Sequence, residues 1–406
     1  MKRILSLVLV LCLLLPVLSL AEEDDLDIEE IIEEDELADE SASPKAGSVE
    51  LTDEVAEELR KSLESAESKS TTIDTESLYI NPNLPDNVIN ILLLGVDTRE
   101  DSLGEDDHTV KRADVQLILS YNKDNGSIKL TSILRDTLVE NPVTKKNIPI
   151  TNAYRSFDDA GTFHDNPQGS IAIINYNFEL NIQYFFTINF YGVAKIIESL
   201  GGVDVDLTKA EAYSINTYLS TKTIKSGDKQ FSHGRAILKT YGKEFGLPDP
   251  LEVKDGVQHL TGLQALIYAR LRETIKKKYP LGGDWERTRR TRNLLNLLLK
   301  KALQLDIMDM VDLASEAIEY MFTNMNVNDI IDLILSVLKS GILDKLNTAD
   351  ETSDGFLFDQ FRIPMDDTWS YSEGDVFMSR RNGNFQKNVE TLHEFIYGKY
   401  YPANPE

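Results

Sequence analysis

Hydrophobic and polar positions follow two different periods along the chain after residue 88. Short apolar runs at Ile89–Gly95, Val115–Tyr121 and Ser127–Leu134 begin or end next to glycine or charged residues, which is typical of buried β-strands. Gly169–Leu180 has the 3.6-residue period of an amphipathic helix, and Tyr184–Phe190 is again strand-like. This alternation predicts an α/β fold in which helices cover both faces of a sheet.

The next segment has a less regular pattern. Tyr191–Leu200 is predicted to be a helix that ends at a glycine pair, and Val203–Asp206 a short strand. Thr208–Gly256 is polar with lysine-rich turns, so we expect irregular surface segments there.

The C-terminal quarter is predicted to be mainly helical. Asp306–Leu346 keeps a helical period, Gln360–Pro364 predicts an edge strand, and Asn384–Tyr397 predicts a closing helix. We therefore expect residues 306–406 to form a helical extension packed on a domain that spans residues 89–305.

The N-terminal segment is typical of a secreted protein. Residues 1–21 contain two basic residues, an apolar run and a small-x-small cleavage pattern, which predict a signal peptide. An uncleaved signal anchor is the alternative, and both place the remaining chain outside the cytoplasm. The single cysteine, Cys12, lies in this segment. Cleavage would therefore leave a protein without disulfides or thiol chemistry.

Acidic residues are concentrated just after this segment. The chain has a net charge of −26, and residues 22–88 alone hold 23 acidic and 4 basic residues. Such a composition predicts a disordered acidic tether over residues 22–88. Clustered negative charge also opposes binding to phosphates of nucleic acids, so we expect no nucleic-acid partner.

Charged residues lie at the ends of the three predicted N-terminal strands. Asp97 and Arg99 follow the first strand, Arg112 and Asp114 precede the second, and Arg135 follows the third. Ligands of α/β sheets usually bind at strand ends. Mg²⁺ commonly takes one or two carboxylates together with water and phosphate oxygens, so the two aspartates are candidate ligands.

A second cationic stretch, Arg270–Arg292, holds six arginines. Its helical pattern begins at Asp284, and the leucine periodicity places Arg287 and Arg290 on the face turned to the core. A guanidinium near such a face needs an anionic partner, because an unpaired buried charge is costly. Two partners remain open at this point: a bound phosphate, or internal carboxylates in a structural network.

Six segments, in chain order, form a recognisable set: INILLLGVDTR, KRADVQLILSY, LTSILRDT, FFTINFYGVAKIIESLGGVDVDL, HLTGLQALIYARLR and GGDWERTRRTR. Over approximately Ile89–Leu303 the chain resembles the catalytic domain of the LytR-CpsA-Psr proteins. The resemblance implies a three-layer α/β/α sandwich around a central mixed sheet, with a hydrophobic cleft for a polyprenyl chain.

The same resemblance implies an extracytoplasmic, Mg²⁺-dependent phosphotransferase. It would move a glycopolymer, such as teichoic acid or capsular polysaccharide, from a polyprenyl diphosphate carrier to peptidoglycan at the surface of the cytoplasmic membrane. A polyprenyl-diphosphate hydrolase and a non-catalytic polyprenyl-phosphate or wall-binding protein are the alternatives.

Site residues follow from the matched motifs. Asp97 and Asp114 would hold Mg²⁺, and Asp284 would orient Arg287 or cap its helix. Asp97, Arg135 and Arg287 are the candidate catalytic residues, with Asp97 also the candidate base. The diphosphate would be bound by six arginines: Arg99, Arg112, Arg270, Arg272, Arg287 and Arg290.

Three positions depart from the family pattern. Leu134 stands where proline is usual, and Thr291 replaces a glutamine. The segment Pro149–Tyr154 lacks the usual lysine, for which Lys145 or Lys146 are candidate substitutes. These departures leave a weakly active or hydrolytic member open.

Overall fold

The computed structural model describes residues 57, 60–61, 69–96, 112–157, 163–220, 224–226, 229–231, 245–271, 278, 281, 290, 293–294, 297–298, 301, 305, 307–339, 359–372 and 375–404. The predicted signal segment 1–21 and most of the predicted tether lie outside these residues. No helix in the described ranges is long and apolar enough to cross a lipid bilayer.

The described strands, in chain order, are β1 (Lys69–Ser70), β2 (Val88–Val96), β3 (Ala113–Asn122), β4 (Ile128–Ile133), β5 (Leu138–Glu140), β6 (Asn147–Pro149), β7 (Arg155–Phe157), β8 (Phe163–Asp165), β9 (Tyr184–Asn189), β10 (Val203–Leu207), β11 (Ile224–Ser226), β12 (Lys229–Phe231), β13 (Gly256–Leu260), β14 (Met321–Thr323), β15 (Asp359–Ile363), β16 (Ser370–Ser372) and β17 (Asp375–Phe377). The α-helices are α1 (Pro167–Phe178), α2 (Phe190–Ser199), α3 (Lys209–Leu219), α4 (Gly262–Arg270), α5 (Ile307–Glu319), α6 (Val327–Lys339) and α7 (Asn384–Tyr397). Short 3-10 helices form at Thr75–Ser77 and Ile150–Tyr154.

A seven-stranded mixed sheet in the order β1-β14-β9-β2-β3-β4-β15 forms the centre of the protein. Strand β2 pairs parallel with β9 and antiparallel with β3, and β4 pairs parallel with β15. The sheet is therefore mixed, as the sequence predicted.

Hydrophobic cores lie on both faces of this sheet. Ile91 and Leu93 of β2 belong to one core, which α2, α3 and α4 cover. Leu92 and Leu94 belong to the other, which α1 and α7 cover. Because successive side chains of a strand point to opposite faces, β2 is buried on both sides. The predicted α/β/α layering is confirmed.

Residues 69–87, which fall within the predicted tether, are packed against the folded domain. Leu78 is fully buried in the core that α1 and α7 cover. The Asn81 side chain donates hydrogen bonds to the backbone oxygens of Glu179 (3.0 Å) and Tyr401 (2.8 Å). This segment therefore contacts both the C-terminal end of α1 and the chain after α7, despite its acidic composition.

Part of Thr208–Gly256 also differs from the prediction of irregular structure, because it contains α3. This helix begins with a capping box, in which the Thr208 hydroxyl accepts from the Glu211 N–H and the Glu211 carboxylate accepts from the Thr208 N–H. Ala212, Ile215 and Leu219 give the helix its buried face.

The C-terminal region confirms the predicted edge strand, now β15, and the closing helix α7. However, β14 and β15 belong to the central sheet itself. Strand β14 lies next to β9, and β15 lies next to β4. The predicted boundary at residue 305 therefore does not separate an extension from the sheet.

Candidate functional site

Several charged segments meet at one edge of the central sheet. Strands β2, β4 and β9 end at this edge and β3 begins there, since Val96 pairs with both Ala113 and Asn189. Neighbouring strands are about 4.8 Å apart, so the four chain positions lie within roughly 15 Å of one another. This is the edge at which the sequence predicted a ligand.

Asp114 owes its position to a β-bulge. Gly95 pairs with Val115 and Val96 pairs with Ala113, so Asp114 is an extra residue in β3. A bulge redirects side chains and is common near active sites. The bulge lies at the end of the ladder, where the side chain of Asp114 is one-quarter exposed.

Asp114 and Arg135, two of the predicted site residues, are in contact. An Asp114 carboxylate oxygen lies 3.7 Å from Arg135 Nη1 and accepts a hydrogen bond from the Thr151 hydroxyl at 3.5 Å. Arg135 Nε also donates to Asp136 Oδ2 at 3.3 Å. The Arg135 side chain is 38% exposed.

The loop that carries Arg135 is fixed by backbone hydrogen bonds. The Arg135 carbonyl accepts from the Thr151 N–H at 3.0 Å, and the Leu134 N–H donates to the Ile363 carbonyl at 2.9 Å. Proline has no N–H to donate. Leucine at this position therefore ties the loop to β15 in a way that the usual proline of the family cannot.

Two further arginines lie near the bulge. Arg112 is exposed at the start of β3. Arg155 follows the 3-10 helix Ile150–Tyr154 and is half-buried; burial and the positive charge of Arg112 lower its pKa. Sequence reasoning missed Arg155, although it directly follows the segment that lacks the family's lysine.

The proposed substitute Lys145 has other partners. Its ammonium group lies 3.4 Å from the Glu140 carboxylate and donates to the Tyr176 hydroxyl at 3.1 Å. These contacts raise the pKa of Lys145 and lower that of Glu140, in both cases chiefly through hydrogen bonding with Tyr176. Lys145 thus belongs to a surface cluster, and Arg155 is the cation that the structure places beside Arg112.

Within the segment HLTGLQALIYARLR, Gly262–Arg270 form the helix α4, which packs closely on α2. Thr261 and Gln264 make a capping box that starts α4. A Cβ atom at Gly262 would lie 2.0 Å from the Ala194 carbonyl oxygen, so only glycine allows α4 to approach α2 this closely. The Gly262 N–H donates to the Glu198 carboxylate at 2.7 Å.

This packing places Arg270 at the sheet edge. Arg270 is the last residue of α4, and its guanidinium carbon lies 3.9 Å from the centre of the Phe190 ring. Phe190 directly follows β9, whose last residue pairs with Val96. A cation over an aromatic face is favourable and fixes the guanidinium plane. Arg270 therefore lies beside the C-terminal end of β9, the strand that pairs with β2.

Arg290 has a different environment. Its side chain is 1% exposed, and it donates to the Glu211 carboxylate at 3.4 Å and to the backbone oxygens of Leu281 (3.2 Å) and Leu271 (2.5 Å). The internal carboxylate, one of the two partners left open by the sequence, is what the structure shows. The prediction that Arg290 binds the diphosphate is corrected, because a ligand cannot reach a guanidinium enclosed in this way.

Arg290 instead connects three parts of the chain. Leu271 directly follows Arg270, Leu281 lies nine residues before Arg290, and Glu211 lies on α3. One guanidinium therefore connects the C-terminal end of α4 to Leu281 and to α3. Arg290 is a positioning residue for Arg270, the last residue of α4.

The remaining predicted residues lie outside the described part of the chain. They are Asp97, Arg99, Arg272, Asp284, Arg287 and Thr291. The described site consists of Arg112, Asp114, Arg135 and Arg270, together called the edge site.

A Mg²⁺ ion would be compatible with the edge site. The described residues contain no group of three or more His, Cys, Asp or Glu side chains that could enclose a metal. Mg²⁺ often needs only one or two carboxylates when phosphate oxygens complete its shell. The one-quarter-exposed Asp114 carboxylate fits that use, with the Thr151 hydroxyl beside it.

The chain belongs to the LytR_cpsA_psr family, whose model matches residues 51–354. Among curated proteins it is similar to the polyisoprenyl-teichoic acid–peptidoglycan teichoic acid transferase TagU of Halalkalibacterium halodurans, with 28% identity over 215 residues and 53% of each chain covered. TagU of Bacillus cereus (strain AH820) is 28% identical over 213 residues, 52% of each chain. The chain thus spans about half the length of the curated relatives it matches.

Solved structures with a similar fold include B. subtilis TagV, with 22% identity, a TM-score of 0.45, and coverage of 79% of this chain and 100% of that chain. Another is TagT bound to LIIa-WTA, with 16% identity, a TM-score of 0.43, and coverage of 80% and 94%.

Proposed function

We propose that the protein is an extracytoplasmic phosphotransferase that moves a glycopolymer from a polyprenyl diphosphate carrier to peptidoglycan. One observation carries the proposal: Asp114 and Arg135 are in contact at the edge of the sheet where Arg112 and Arg270 also lie. The names of the TagU relatives, which specify teichoic acid transfer to peptidoglycan, support the choice of donor and acceptor.

The proposed transfer of a phosphate-linked glycopolymer suits a site that contains several guanidinium groups. A peptidoglycan hydroxyl attacks the glycopolymer-linked phosphorus, the bond to the bridging oxygen breaks, and polyprenyl phosphate leaves. The hydroxyl loses its proton, for which Asp97 is the candidate base. Negative charge develops on the phosphate oxygens, and fixed cations stabilise that charge. Arg135 and Arg112 would bind the diphosphate, since the guanidinium fork matches phosphate oxygens.

Asp114, together with Asp97, would hold Mg²⁺. The bound ion would supply further positive charge to the diphosphate. The Arg135 contact and the Thr151 hydrogen bond would keep the Asp114 carboxylate in one orientation. A place at the outer surface of the cytoplasmic membrane follows from the lipid carrier and from the predicted N-terminal signal.

A transfer assay with the full-length protein tests the proposal. Purified protein is incubated with a polyprenyl-diphosphate-linked glycopolymer, Mg²⁺ and peptidoglycan oligomers, and products are identified by mass spectrometry. We expect a phosphodiester between glycopolymer and peptidoglycan, and its loss when a chelator removes Mg²⁺. Free phosphorylated glycan in the absence of acceptor would instead identify a hydrolase. Carrier binding without any product would identify a binding protein.

A further inference from the structure

A pocket of about 280 Å³ lies beside the edge site, on the α1 side of the sheet. It is formed by the N-terminal end of α1, the 3-10 helix Ile150–Tyr154, the start of β7, the turn between β5 and β6, and the segment before β2 that includes Tyr79. Its polar and aromatic lining includes Tyr79, Asn141, Asn152, Arg155, Asn166 and Gln168. A volume of this size, below the usual range for drug-sized ligands, suits one sugar ring.

The pocket and the edge site share one structural element. Within the 3-10 helix, Thr151 donates to Asp114, while the next residues, Asn152 and Ala153, line the pocket. Arg155 also lines the pocket and is close enough to Arg112 for the two charges to interact. A group bound in the pocket would therefore lie next to a diphosphate held at the edge site.

Arg155 gives the pocket its charge. Arg155 is half-buried, it forms no ion pair with any residue that the structure describes, and no acidic side chain is among the described lining residues. A half-buried guanidinium beside a second arginine favours an anionic ligand.

The rim of the pocket is rigid. The Gln168 side chain accepts from the Asp74 N–H (3.0 Å) and donates to the Ser77 hydroxyl (2.7 Å), and Asn166 caps α1. Tyr79 has a left-handed backbone with φ of 54° and is 45% exposed.

The ring of Tyr79 is held edge-on against Tyr176, with 5.4 Å between ring centres. A half-exposed aromatic ring offers an apolar face to a sugar. The buried side-chain oxygen of Asn152, which accepts no hydrogen bond within the described part of the chain, offers an acceptor to the amide or hydroxyl groups of that sugar.

We propose that this pocket binds the acceptor glycan through one N-acylated sugar that carries a carboxylate. The inference rests on the proposed function, because it identifies the acceptor subsite of that reaction. A single guanidinium matches a single carboxylate. The diphosphate of the donor has more charge and is better matched by the arginines of the edge site.

Binding to the full-length protein, measured without any donor, tests the pocket. The probes are a soluble muramic-acid-containing glycan tetrasaccharide, an uncharged N-acetylglucosamine tetramer and a glycerol phosphate oligomer. We expect the muramic-acid probe to bind most tightly, and Arg155→Gln to weaken it by about tenfold, the loss of one charge-assisted hydrogen bond. Tyr79→Ala should also weaken it, whereas Tyr79→Phe should not. Arg381→Gln, at an exposed arginine before α7, is the matched control and should bind like the parent.

The outcomes separate the two proposals. Unchanged binding in well-folded Arg155→Gln and Tyr79→Ala variants would overturn the pocket assignment. Tighter, Arg155-dependent binding of glycerol phosphate would assign the pocket to the donor instead. In the transfer assay, Arg155→Gln should raise the KM for the acceptor and leave the KM for the donor unchanged. Acceptor binding without transfer would refute the proposed function alone.

Discussion

Arg290 and Arg135 are both arginines of the predicted site, but Arg290 is buried and Arg135 is partly exposed. Arg290 is 1% exposed and its guanidinium is bonded to a carboxylate and two backbone oxygens. Arg135 is 38% exposed, with carboxylate oxygens at 3.3 and 3.7 Å. Both belong to motifs of the same family, so motif membership does not separate a ligand-binding arginine from a structural one. The burial of the side chain does.

The largest expected effect comes from removing the partner of Arg290. Glu211→Gln leaves a buried guanidinium without its carboxylate, and breaking a buried pair costs about 3–5 kcal/mol. Urea unfolding followed by circular dichroism measures the loss. Asp206→Asn, an exposed carboxylate on β10, is the control and should change stability by less than about 0.5 kcal/mol. Equal stability of both variants would mean that the pair does not hold α3 against α4.

Arg135→Ala should produce the reverse pattern. An exposed ion pair contributes about 1 kcal/mol or less, so stability should hardly change. Transfer should fall roughly 100-fold, because a group aimed at developing charge is lost. The transfer assay and the unfolding curve are measured on the same preparation, with Arg381→Ala as the exposed control. A large loss of stability with normal turnover would make Arg135 another structural arginine.

A smaller effect is expected at the departure from the family's proline. Leu134→Pro removes the N–H that bonds the Ile363 carbonyl and leaves that oxygen unpaired, at a cost of about 1 kcal/mol. Leu134→Ala, which keeps the N–H, corrects for the lost side chain. If the proline variant is no less stable than the alanine variant, the hydrogen bond to β15 does not fix the Arg135 loop.

His393 extends the comparison to a buried basic side chain whose described hydrogen bonds go to backbone groups and not to a carboxylate. Its Nε2 bonds the Phe178 carbonyl and its Nδ1 accepts from the Tyr401 N–H, which requires the neutral ring. Burial lowers its pKa below the ordinary 6.5. The unfolded chain then takes up a proton first as the pH falls, so this contribution to stability is complete above pH 6.5 and is lost below it.

The measurement is the free energy of unfolding between pH 5 and pH 8, an interval on either side of the ordinary histidine pKa. His393→Gln should flatten the decline on the acid side, while His259→Gln, at an exposed histidine paired with Asp204, serves as the comparison. An identical acid-side slope in parent and His393→Gln would exclude His393 as its source.

Periodicity was sufficient for five of the seven strands of the sheet and for most of the helices that cover it. Strand β1 was not predicted, and β14 lies inside Asp306–Leu346, which was predicted to be helical. The strands β2, β3, β4 and β9 and the helix α7 follow from apolar runs and helical spacing, because burial on one or both faces directly selects those side chains. Helix α3 was missed because its buried face includes the polar residues Glu211 and Ser214, which weaken its helical pattern of apolar positions.

The packed segment 69–87 was missed for a related reason. Leu78 and a few amide side chains hold it, and the partners of Asn81 lie about 100 and 320 residues away in the sequence. Average composition cannot show such long-range contacts.

The sequence by itself determined the layers of the fold and the residue types of the candidate site, because hydrophobic period and charge are local properties. Only the tertiary structure decided which arginines face solvent. The bulge that exposes Asp114 depends on the register between β2 and β3. The enclosure of Arg290 depends on a carboxylate 79 residues away on α3. Register and burial are properties of packed partners, and a single segment of sequence does not contain its partners.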